Sequence, residues 1–215
     1  MKFLSIKPTK LITDINQLDV TKTYTYGDYL KWKFTERVEL IRGKIFKMSP
    51  APNTAHQRVS GNIYGLFWNF LNEKKCSVFN APFDVTLPII NKKNKKQQTT
   101  VVQPDIVVVC DETKLDKQGC NGVPDLVVEI LSPGNTKKEM KFKFEVYQEA
   151  KIPEYWLIDP QRQFMMCYSL NDEDIYVGSA PYTDEDVFLK RKSITLKNTE
   201  VCPAAYFVMN KLTTS

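Results

Sequence analysis

Two stretches of this chain are apolar on both faces and yet each is interrupted by a carboxylate: VVQPDIVVVC carries Asp105 and PDLVVEIL carries Glu129. Side chains alternate between the two faces of a strand, so a near-continuous apolar run implies that both faces are covered. The two runs therefore predict central strands of a covered sheet. An unpaired carboxylate in such a place costs several kcal/mol and requires a cationic partner, a shifted pKa or a bound metal.

The intervening segments supply the covers. Val59, Ile63, Leu66, Phe67 and Phe70 recur at helical spacing and predict a helix from about Thr54 to Leu71, with Asn53 as its N-cap and His56 at the start of the apolar stripe. A second helix is predicted from about Lys137 to Ala150, with Met140, Phe144 and Tyr147 facing the core and Lys143 beside them. Thr25 and Asp28 form a capping-box pattern ahead of YGDYLKWKF, which predicts a helix there. RVELIRGKIFKM reads as two short strands about Arg42-Gly43, with Glu39 in the first. VFNAPFDVTLP and EYWLID read as further strands, the segments from QFMMCYSL to KSITLK as an antiparallel meander, and PAAYFVM as a short terminal helix. The expectation is one α/β domain over residues 1–215, a central mixed sheet flanked by helices, with a core over about 24–170 and the meander over about 162–198.

Composition narrows the chemistry. With 42% hydrophobic and 26% charged residues the chain falls in the globular range. No apolar run reaches the ~18–20 residues of a bilayer span, and MKFLSIKPTK lacks a secretory apolar segment, so the expected setting is the cytosol, with no membrane. Five scattered cysteines, Cys76, Cys110, Cys120, Cys167 and Cys202, never in a CxxC pair, are expected as reduced thiols. One histidine, His56, and no paired cysteines leave no zinc finger or three-histidine zinc site, so any metal is held mainly by oxygen. The net charge of +5 is mild and local: Lys92, Lys93, Lys95 and Lys96 lie in a stretch without apolar residues, and Lys137 and Lys138 open the KKEMKFK segment. Both clusters suit solvated surfaces, and both suit phosphate.

The carboxylates can be sorted by geometry. Asp125 and Glu129 are four residues apart on one strand, roughly 13 Å, too far to share an ion. Asp105 and Glu129 lie on different strands; if those strands pair, about 4.8 Å apart, the two can converge on a hard cation such as Mg²⁺. Lys143 either turns back to the sheet or extends its head to water. Glu39 is either an active acid or a partner of Arg37 or Arg42.

Pro104-Asp105, then 23 residues, then Glu129-Ile130-Leu131-Ser132-Pro133, resembles the PD-(D/E)XK nuclease superfamily, and more closely the Uma-type restriction endonuclease family. The similarity extends to the Thr-Tyr-x-Asp-Tyr helix, Glu39-Leu40-Ile41-Arg42-Gly43, Ser49-Pro50 with His56, Gln103, Lys143, Tyr147 and the Pro153–Pro160 segment. Leu131 stands where the superfamily usually has lysine, and Lys143 matches the lysine position on the following helix. The resemblance implies a restriction-endonuclease-like fold and a Mg²⁺- or Mn²⁺-dependent DNA endonuclease. Asp105, Glu129 and the Ile130 carbonyl would hold the ion, Glu39 would join directly or through water, and Lys143 would be catalytic. DNA would meet His56 and the two lysine clusters. Two copies would act together, with no nucleotide cofactor. The alternative is a catalytically weak or inactive nuclease-fold module that binds nucleic acid in a regulatory or mobile-element setting. A weaker one is a purely structural ion-pair network of Asp105, Glu129 and Lys143.

Overall fold

The structure, a computed structural model, describes residues 11–48, 53–90, 97–133, 137–183, 194–196 and 199–201. Its organising feature is two bent hairpin arms. The run expected as one strand around VFNAPFDVTLP is two, β3 (Ser77–Asn80) and β4 (Asp84–Ile90), and VVQPDIVVVC likewise divides into β5 (Gln97–Val102) and β6 (Ile106–Val109). The breaks fall at Pro82 and Pro104, which have no N–H to give to a ladder. Beyond the breaks the arms enter different sheets: β4 pairs with β5, and β3 pairs with β6. The expected single central sheet is therefore two mixed sheets.

The first sheet runs β2-β1-β5-β4-β7 and the second β11-β10-β9-β8-β6-β3, with β12 also on β10. β1 (Val38–Ile41) and β2 (Lys44–Lys47) form the predicted hairpin. Arg42 and Gly43, at φ 52° and 76°, make its two-residue turn, a geometry that suits glycine. β7 (Gly119–Asn121) runs parallel to β4. β8 (Leu126–Ile130) lies antiparallel to β6 and parallel to β9 (Glu154–Asp159), and β10 (Phe164–Leu170), β11 (Tyr176–Gly178) and β12 (Tyr182–Thr183) continue as an antiparallel meander, the expected one as far as β12; residues 184–193 of it lie outside the described residues, and its KSITLK end pairs in a separate two-stranded sheet. β13 (Ile194–Leu196) and β14 (Thr199–Val201) pair with each other. The PAAYFVM segment lies outside the described residues.

Helix α2 (Thr54–Leu71) has the predicted bounds and cap: Asn53 accepts a hydrogen bond from the His56 N–H. Val59, Ile63 and Phe67 pack on the face of the second sheet that carries Ile106, Val108, Leu126, Val128 and Trp156. The opposite face, with Val107, Val127 and Tyr155, packs against α3 (Lys137–Glu149) and the inner face of the first sheet. The outer face of the first sheet, Val38, Leu40 and Val101, is covered by Ile15, Leu18 and Trp32. Helix α1 (Tyr26–Tyr29) has the capping box of Thr25 and Asp28 but is one turn long, far shorter than its sequence suggests. The buried stripe of α3 also departs from expectation: Lys143, Val146 and Tyr147 are buried, and Met140 and Phe144 only partly so.

One pair of cysteines corrects the expected thiols. In the β3–β6 ladder Ser77 faces Val109, so the next position outward sets Cys76 against Cys110, and the two form a disulfide. Cys120 and Cys167 are free and buried.

Candidate active site

The two sheets and α3 bring together four charged side chains that lie far apart in sequence. Ile106 of β6 faces Val128 of β8, so extending that antiparallel ladder by one residue sets Asp105 opposite Glu129. Asp105 itself sits in the bend between β5 and β6 rather than inside a central strand. Alternation turns Glu129 away from α2 and toward α3, with Val127. Glu39 points inward from the first sheet, since its neighbours Val38 and Leu40 face outward. Lys143 fills the gap between them.

The distances define a compact network. Lys143 Nζ lies 3.0 Å from Glu39 Oε1 and 2.9 Å from Glu129 Oε1. Tyr147, one turn further along α3, donates its hydroxyl to the same Glu129 oxygen at 2.5 Å. Glu39 Oε1 also accepts the Gln103 backbone N–H at 2.8 Å. Asp105 Oδ2 accepts the Ile130 N–H at 2.8 Å, while Oδ1 stands 3.3 Å from His56 Nε2. The Ile130 carbonyl faces the same imidazole, and His56 Nδ1 is buried without a partner among the described residues.

Burial makes these contacts consequential. The Lys143 and Glu39 side chains are 8% and 1% exposed, and Glu129 is 12%. Burial pushes the Glu129 carboxyl up to about 7; Lys143 pulls it back, while Asp105 and Glu39 add to the rise. Burial alone lowers the Lys143 ammonium, but Glu129 and Glu39 outweigh it and hold the group above its ordinary value, so it stays charged. For His56, burial again lowers and Asp105, the Ile130 carbonyl and Glu129 more than offset it, leaving the imidazole raised. Tyr147 is pushed well up by burial and by Glu129 and Glu39, so it remains a phenol donor.

The structure thus brings Glu39, Asp105, Glu129, Lys143, His56 and the Ile130 backbone into one place. Lys143 does not extend to water, and Glu39 pairs with neither Arg37 nor Arg42: Arg37 donates to Gln103 and Arg42 pairs with Glu149. Asp125 stands apart, accepting the Cys110 N–H at 2.7 Å. Lys137 and Lys138 are exposed at the start of α3, and Lys92, Lys93, Lys95 and Lys96 lie outside the described residues. Two partners of the cluster fall outside the predicted set. Tyr147, expected only as a core-facing residue of the helix, is buried and also hydrogen-bonds Glu129; its position four residues after Lys143 is the available signal. Gln103 is visible beside Pro104-Asp105, but only the bend reveals that its main chain holds Glu39.

Among the described residues no three His, Cys, Asp or Glu side chains close into a ready-made metal shell. The donor set nevertheless suits a hard divalent ion. Two carboxylates, Glu39 and Glu129, face one ammonium in a largely water-excluded site, and the Asp105 carboxylate and Ile130 carbonyl, both hard oxygen donors, turn to the same side, toward His56.

Comparison with known proteins agrees with the fold. A crystal structure described as "a putative nuclease belonging to DUF820", from Anabaena variabilis ATCC 29413, superposes with a TM-score of 0.62 at 18% identity, covering 88% of this chain and 99% of that one. The shared fold is the restriction-endonuclease-like α/β fold. A Synechocystis protein described as "Uncharacterized protein slr1290" is 28% identical over 149 residues, 68% of this chain and 74% of the relative. The sequence profile of Uma2, described as "Putative restriction endonuclease", matches residues 26–196, and the chain belongs to that family.

Proposed function

We propose that this chain is a metal-dependent nuclease that hydrolyses phosphodiester bonds of DNA. The observation that carries the reading is the Lys143 ammonium buried between carboxylates from two different sheets, with Asp105 set opposite one of them. Strongly perturbed titratable groups cluster at functional sites.

Asp105, Glu129 and the Ile130 carbonyl would hold Mg²⁺ or Mn²⁺, with Glu39 joining directly or through water. When bound, the ion acidifies a water molecule and neutralises charge on the phosphodiester. The chain's own residues do the rest. Lys143 orients the attacking water and presents positive charge to the five-coordinate phosphorus centre. Tyr147 fixes the Glu129 carboxyl, the Gln103 N–H fixes Glu39, and His56 faces the Asp105 oxygen that the Ile130 N–H leaves free. Lys137 and Lys138, with the lysines of 91–96, attract the polyanion.

The test is nicking of supercoiled plasmid with Mg²⁺ or Mn²⁺ against EDTA. The native chain should nick, and Asp105→Ala, Glu129→Gln and Lys143→Met should each lose about 10²–10³-fold or more. Equal nicking by Asp105→Ala would remove the cluster from the chemistry. A second reading, a nuclease-fold module that binds nucleic acid without cutting it, is favoured by one specific observation: Lys143 is already neutralised by two carboxylates. Salt-sensitive DNA binding with no nicking under either metal would select it.

A further inference from the structure

At the rim of the cluster, Arg37 is two positions before Glu39 and exposed to solvent. Its Nε and Nη2 donate to Gln103 Oε1 at 3.1 and 2.9 Å. The other end of that amide is fixed as firmly, since Gln103 Nε2 donates to Asp84 Oδ1 at 2.7 Å and to the Tyr29 hydroxyl at 3.3 Å. Tyr29 also donates to Asp84 Oδ1, at 3.1 Å. Gln103 therefore faces two ways: its main chain holds Glu39 of the acidic cluster, and its side chain holds Arg37.

The chemistry of this arrangement is specific. An amide oxygen orients a guanidinium without neutralising it, whereas the buried or half-buried cations nearby are spent on acids: Lys143 on Glu39 and Glu129, and Arg42 on Glu149. Among the described residues Arg37 forms no ion pair. Two of its five N–H groups are engaged, and those that remain can grip two oxygens of one phosphate. A fixed orientation also lessens the side-chain entropy lost on binding. A polyanion approaching three carboxylates needs a cation of this kind beside them.

We propose that Arg37, oriented by Gln103, binds a backbone phosphate of the nucleic-acid strand next to the acidic cluster. This rests on the nuclease reading of that cluster and deepens it. The experiment is fluorescence anisotropy of a short labelled DNA duplex in EDTA, titrated across salt concentrations, with plasmid nicking by the native chain run in parallel. Arg37→Ala should weaken binding about tenfold at low salt and reduce the slope of log K against log[salt] by about 0.9, the value for one phosphate contact. Arg37→Lys and Gln103→Leu keep the charge but lose its fixed orientation, so each should bind more weakly with the slope unchanged. Lys75→Ala, beyond the far end of α2, is the charge-matched control and should change binding less than Arg37→Ala.

Unchanged affinity and slope in Arg37→Ala, or equal losses in Arg37→Ala and Lys75→Ala, would overturn the proposal. Metal-dependent nicking by the native chain would still keep the nuclease reading in those cases. A native chain that neither binds nor nicks DNA would overturn both.

Discussion

Glu129 and Glu154 lie on neighbouring parallel strands of one sheet, on opposite faces, and burial raises each carboxyl to about 7. Their surroundings differ. Glu129 meets an ammonium, a phenol and two further acids, whereas among the described residues the Glu154 carboxyl accepts one hydrogen bond, from Trp156 Nε1 at 2.6 Å, on the apolar α2 side. Burial alone therefore does not single out the carboxylate of the proposed site. What separates the two is whether groups remote in sequence have been gathered around the acid, and at Glu129 they come from β1, α3 and the β5–β6 bend.

The comparison breaks most visibly at Lys143. Lys143→Met leaves Glu39 and Glu129 buried without their ammonium, and urea unfolding at pH 8 should show a loss of about 3–5 kcal/mol. A change under about 1 kcal/mol would mean that water already screens the pair.

Glu154 should behave in the opposite sense. Its folded pKa is raised from 4.5 to about 7, so the folded state holds the proton more tightly than the unfolded chain does. Its contribution is greatest below pH 4.5 and is lost as pH rises toward 7. Glu154→Gln should match the native chain near pH 4 and exceed its stability at pH 8 by about 3 kcal/mol. A parallel pair of stability–pH curves would show that Glu154 is solvated.

Smaller effects sharpen the contrast. Tyr147→Phe removes one donor to Glu129 and should cost about 1.5–3 kcal/mol in the same unfolding measurement. Thr25→Ala, which removes the cap of α1 and contacts neither acid, should cost about 1 kcal/mol in the same unfolding measurement.

Much of the site can be read in the sequence because it rests on periodicity. Alternation along β8 and the repeat of α2 locate Glu129 and His56, and the antiparallel register of β6 and β8 supplies the adjacency that sequence reasoning has to assume. The bends are harder to read. Pro82 and Pro104 sit inside runs that look like single strands, and proline alone does not say whether a strand ends or crosses into another sheet. That crossing moves Asp105 from a strand to a corner and makes Gln103 a hub for Glu39 and Arg37. The Cys76–Cys110 pairing spans 34 residues and depends on the β3–β6 register, which no local spacing encodes. Lys143 is ambiguous on its own helix, where an extended head would be as reasonable, and only the two carboxylates facing it decide the orientation.

Crystals of the native chain soaked in Mn²⁺ provide the most direct measurement. The proposed site predicts an anomalous-scattering peak bound by the Asp105 and Glu129 carboxylates and the Ile130 carbonyl, with Glu39 beside it. No peak at that position, under conditions where plasmid is nicked, would contradict it.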